Sequence, residues 1–121
     1  MTDRELLELA AKAAGYSIRF HQGVCKGGAY EGCERLWPDG EWRPWRPRED
    51  DGDALRLAVK LKMKLWHSDC GAYADHESLP EDMRPCREDA RNDRNAATRR
   101  TIVRAAAEIQ RQREALSLIH I

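Results

Sequence analysis

Apolar positions recur at helical spacing in three separated stretches of the chain, and between them they alternate with polar ones. In the first stretch Leu6, Leu9, Ala10 and Ala13 share one face, Thr2 with Glu5 makes a capping box, and Gly15 supplies a left-handed stop. Residues 16–21 then alternate with period two, as a half-buried strand does. The glycine-rich run GVCKGG places a loop over 22–28, followed by a strand over 30–37 and a tight turn at Pro38-Asp39-Gly40. A third strand or extended arm covers 41–45, limited to a sheet edge by Pro44 and Pro47, neither of which can donate a ladder hydrogen bond.

Asp50 or Asp51 caps a second helix, whose apolar positions are Leu55, Ala58 and Val59. Residues 62–67 alternate again and predict a strand that pairs through the region of Ala72 and Tyr73. A polar loop follows from Asp75 to about Asp93. The longest helix starts at Asp93 or Asn95 and carries Ile102, Ala106 and Ile109. The order helix, strands, helix, strands, helix predicts an α+β fold in which an antiparallel sheet is packed with helices in layers.

Composition changes this picture little. A chain of 121 residues fits a single domain, drawn here as 1–115. Lys and Arg (21) balance Asp and Glu (21), so no overall charge draws it to nucleic acid or an anionic membrane. No apolar run approaches the ~20 residues of a membrane span, and the N-terminus lacks a signal peptide's apolar stretch. The expected location is the cytoplasm, where Cys25, Cys33, Cys70 and Cys86 stay reduced. A zinc set could be assembled from those cysteines with His67 and His76, but only His67 and Cys70 have the close spacing structural sites use. No metal and no cofactor is expected.

Three blocks carry a family resemblance: DRELLELAAKAAG near the start, Trp45, Pro47 and Asp50 to Leu61 in the middle, and AATRRTIVRAAAEI near the end. Together they resemble small phage and prophage proteins of the phage ABA-sandwich type, over about half the chain. That resemblance implies a layered fold and a phage origin, hence the cytoplasm of an infected bacterium, and it transfers no reaction. The final LSLIHI, residues 116–121, is similar to a translated transposase mosaic-end adapter of sequencing libraries. On that reading those six residues are not native, and His120 is set aside from any site.

No nucleophile elbow, HExxH, P-loop or dinucleotide fingerprint is present. The segment EWRPWRPRED offers Trp42 and Trp45 for stacking and Arg43, Arg46 and Arg48 for phosphates. The competing reading is that one tryptophan anchors the arm on the core while the arginines pair with neighbouring acids. A second candidate is the start of the last helix, residues 94–100, where Arg94, Arg99 and Arg100 meet either a ligand phosphate or Glu88, Asp89 or Asp93. Asp50, Asp51 and Asp53 could alternatively hold magnesium in a phosphodiesterase, although capping explains two of them.

These residues lead to three expectations. The first is a non-enzymatic phage protein that sequesters a nucleotide-type signal at a site built from Trp42, Arg43, Trp45, Arg46, Arg99 and Arg100, as a homo-oligomer, with no nucleic-acid or membrane partner. The second is a blocker of a host defence protein, and the third a metal-dependent hydrolase of nucleotide signals. Under the first, Trp45→Ala with Arg99→Ala removes binding and leaves the fold intact.

Overall fold

Thr2 is extended and its hydroxyl accepts from the Glu5 amide at 3.2 Å, which starts helix α1, Asp3–Ala14; Gly15, at φ 75°, closes it. In the computed structural model, which describes residues 2–25 and 28–119 (the side chains of 22–31 and 119 excepted), α1 is followed by two antiparallel strands. These are β1 (Ile18–Cys25) and β2 (Gly28–Leu36), paired from Ile18↔Arg35 to Cys25↔Gly28. The loop expected over 22–28 is therefore mostly strand, a hairpin whose Lys26 and Gly27 lie outside the described residues.

The Trp37–Glu41 turn, with Gly40 at φ 87°, leads into β3 (Trp42–Pro44), antiparallel to β2. Helix α2 (Asp51–Lys60) is capped by Asp50, whose carboxylate accepts from the Asp53 amide. Strands β4 (Lys64–His67), β5 (Gly71–Asp75) and β6 (Cys86–Asp89) make a second antiparallel sheet, with Trp66 opposite Tyr73 and His67 opposite Ala72. Helix α3 (Arg94–Ile119) ends the described chain. The fold is α+β, with two three-stranded antiparallel sheets where one was expected.

Two corrections follow, one of burial and one of secondary structure. On α2, Leu55 and Val59 are exposed, and the buried face is Asp53, Ala54, Leu57, Ala58 and, just past its end, Leu61. The polar stretch 75–93 is not simply loop, since it holds a 3-10 turn at Glu81–Met83 and strand β6.

Helix α3 packs against α1, α2, β5 and β6. Alanines line both α1 (Ala10, Ala11, Ala13, Ala14) and α3 (Ala105, Ala106), so the helices approach closely and Ile102, Val103 and Ile109 fill the centre. The Arg113 guanidinium donates to Ala13 O and ties α3 to the carbonyl end of α1. No helix among the described residues is long and apolar enough to cross a membrane.

Burial also sorts the thiols. It pushes the Cys33 thiol up to about 11 and raises that of Cys86, whereas Cys70 is exposed in the β4–β5 turn. Since thiolate is the nucleophile, iodoacetamide at neutral pH is expected to modify Cys70 in the native protein and to leave Cys33 and Cys86 intact until denaturant is added. Peptide mass spectrometry checks this, and equal labelling of Cys33 and Cys70 would contradict the burial.

Candidate functional site

Alternation along β3 puts Arg43 and Trp45 on the inner face of the first sheet and Trp42 and Pro44 on the outer one, because Arg43 pairs with Arg35 and Pro44 with Glu34. Trp45 is 1% exposed, its amide donates to Cys33 O, and its ring meets Tyr16 edge-on at 6.0 Å. It is the core anchor, so its ring cannot stack on a ligand. Trp42 is half-buried with the Arg19 guanidinium 4.2 Å above it. Arg43 is paired to Asp39 at 2.6 Å. The Arg46 amide donates to Asp53 while its side chain is exposed.

Much of the ring-plus-cation chemistry expected for a ligand is thus spent inside this sheet. Arg4 covers Phe20, Arg19 covers Trp42, Arg35 lies between Tyr16 and Trp37, and Arg43 and Arg56 also approach Trp37. A trough of about 440 Å³ beside α1, lined in part by Tyr16, Phe20, Arg4 and Arg19, has rings already covered in this way.

The other expected residues lie elsewhere. Arg99 donates to Arg48 O at 2.9 Å and pairs with Asp51 at 2.5 Å; Arg100 pairs with Glu88, which also takes Arg104. Neither touches Trp42 or Arg43 among the described residues, so the six-residue site divides into separate places. The three acids considered for magnesium are engaged as well: Asp50 caps α2, Asp51 holds Arg99, and Asp53 accepts from Arg46 N and Arg56. Among the described residues no three His, Cys, Asp or Glu side chains are placed to hold a metal.

A different constellation forms around the start of α3. Asp93 caps the Ala96 amide, and one turn later the Thr98 hydroxyl donates to Arg94 O at 2.8 Å. The same oxygen lies 2.8 Å from His67 Nε2 on β4. A threonine hydroxyl has one proton and here gives it to the carbonyl, so His67 Nε2 is the donor, and in the neutral ring Nδ1 is left as an acceptor.

Arg94 donates to Ser68 O at 2.7 Å and to Asp69 O at 3.2 Å, both in the β4–β5 turn. Backbone carbonyls fix its guanidinium without neutralising it, since it has no ion pair with a carboxylate among the described residues. A groove of about 210 Å³ opens here between α2, β4 and α3. Ala54, Leu55, Leu65 and Ile102 give it apolar lining, and His67, Arg94, Asn95, Thr98, Arg99 and Asp51 give it polar groups. Arg94, Thr98 and Ile102 recur every four residues on one helix face, which is the signal in the sequence that marks them.

Comparison with protein-family models, with curated proteins and with solved structures finds no match.

Proposed function

We propose that this chain is a small binding protein for a nucleotide-type anion, held in the groove at the start of α3. The observation that carries the reading is Arg94: a guanidinium locked by two backbone carbonyls, retaining its charge, beside a concave, largely apolar surface. His67 and Asn95 add polar groups that a sugar or base can meet. At about 210 Å³ the groove is smaller than the ~300–1,000 Å³ of sites that enclose whole drug-sized ligands, so it takes one nucleotide-sized part, not a full dinucleotide. Combined with the phage resemblance, this supports the reading of a sequestering agent against host signalling nucleotides in the bacterial cytoplasm.

Calorimetry tests it with AMP, ADP-ribose, a cyclic dinucleotide and, as control, adenosine without phosphate. Wild type is expected to bind at least one phosphorylated probe and not adenosine, with Arg94→Gln raising Kd about tenfold or more. Heat-released ligand is expected intact. Silence across the panel, or equal binding by Arg94→Gln, overturns the proposal.

A second reading, in which the protein blocks a host defence protein, is favoured by Trp66. That ring is 42% exposed, stacked on Tyr73 at 5.3 Å, with Arg87 beyond it, the residue types that dominate protein interfaces. A lysate pull-down lost on Trp66→Ala and kept on Arg94→Gln distinguishes it.

A further inference from the structure

The corner of the first sheet around Trp37 gathers three arginines on one aromatic ring, two of them held by aspartates. Cross-strand register sets Arg35 opposite Arg43, so both leave the same face, and Trp37 shares that face with Arg35 two residues earlier. Arg56 reaches the same ring from α2. The three guanidiniums lie 4.5, 5.1 and 5.5 Å from the Trp37 ring centre. Asp39 holds Arg43 at 2.6 Å and Asp53 holds Arg56 at 2.7 Å, with Asp50 at 3.9 Å from Arg56.

Arg35 stands apart from its two neighbours. Its side chain has neither ion pair nor hydrogen bond among the described residues, and its Nε and the Trp37 Nε1 are enclosed donors without an acceptor. Tyr16 at 3.5 Å and Trp37 at 4.5 Å hold its guanidinium by π contact, which fixes the group while satisfying none of its N–H donors. Enclosed donors of this kind are ordinarily matched, and with Arg43 and Arg56 held by Asp39 and Asp53, Arg35 is the cation of the three whose charge no carboxylate meets among the described residues.

We infer that Arg35, Arg43 and Arg56, gathered on Trp37, form a phosphoryl-binding site. The ring faces are already occupied by guanidiniums, so the site has no stacking surface for a base. A phosphoryl group offers more acceptor oxygens than a carboxylate, so one group can meet Arg35 and a half-exposed neighbour together. The site is distinct from the α3 groove, because α2 gives Asp51 and Leu55 to the groove and Arg56 to this corner. It does not depend on the function proposed for that groove.

The test is titration of the Arg94→Gln protein with inorganic phosphate at constant ionic strength, with chloride as the balancing anion, read by calorimetry and tryptophan fluorescence. Using that background removes the groove's own guanidinium from the measurement. Saturable binding is expected, weakened about tenfold or more by adding Arg35→Gln and less by Arg35→Lys, which keeps charge but loses the fork. If Arg35→Gln lowers the melting temperature enough to obscure the result, the exposed Arg43→Gln is expected to weaken binding several-fold in a folded protein. Absence of saturation, an equal response to chloride, or unchanged affinity in both Arg35→Gln and Arg43→Gln overturns the proposal. Failure of nucleotides in the groove leaves this outcome untouched.

Discussion

Trp45→Ala is expected to destabilise the protein by about 3–5 kcal/mol, the range for removing a fully buried aromatic side chain. Against a total of ~5–15 kcal/mol for a typical domain, that is a large fraction. At 1% exposure the indole is among the largest enclosed side chains, and its removal leaves a void in the core cluster beside the Tyr16 ring. Trp45→Phe keeps most of the volume and is expected to lose less than half as much. Chemical denaturation followed by circular dichroism measures both. A Trp45→Ala protein within 1 kcal/mol of wild type would contradict the core assignment. The expectation that this substitution spares the fold and removes a ligand contact is therefore replaced: any binding lost on Trp45→Ala reports damage to the core.

The ambiguity of Trp42 and Trp45 before the structure has a physical origin. Strand alternation correctly separates the two rings onto opposite faces, but it cannot say which face meets the core. That depends on where α1 packs, a long-range fact. Similarly, arginines beside aromatic residues read as ligand chemistry, and only the folded arrangement reveals that Arg19, Arg35, Arg43 and Arg56 already cover their own rings.

Signals confined to one turn were legible. The Thr2 cap, the Gly15 stop, the Asp50 cap and the Pro38–Gly40 turn depend on a few adjacent residues, and they stand where local chemistry puts them. The buried face of α2 is ambiguous in sequence because Leu55 and Val59 form a stripe competing with Ala54, Leu57, Ala58 and Leu61. The true face begins with a carboxylate, Asp53, which shares the four-residue spacing of Leu57 and Leu61 and hides the pattern. Strand β6 was missed since CRED contains one buried apolar residue, Cys86, and exists through pairing with β5 and packing under α3. The α3 groove needed His67 from one element and Arg94 from another, 27 positions apart in the numbering, so no local window contained it.

Asp53→Ala is expected to cost about 2–4 kcal/mol, because it removes the acceptor of two bonds and strands their donors. Asp53 is buried; its carboxylate accepts the Arg46 amide at 2.9 Å and the Arg56 guanidinium at 2.7 Å, and so joins the arm after β3 to the first turn of α2. Asp53→Asn can still accept the amide and loses the ion pair, half of which is solvated, so about 1–2 kcal/mol is expected. The direction of the effect separates this role from a magnesium site. Carboxylates assembled for a cation repel one another without it, so neutralising one stabilises the metal-free protein and abolishes stabilisation by added magnesium. Here each acid has its own donor, and both variants are expected to melt lower than wild type, by the same amount with or without magnesium. A higher melting temperature for Asp53→Asn, together with a magnesium-dependent rise in wild type alone, would return the three aspartates to the metal reading.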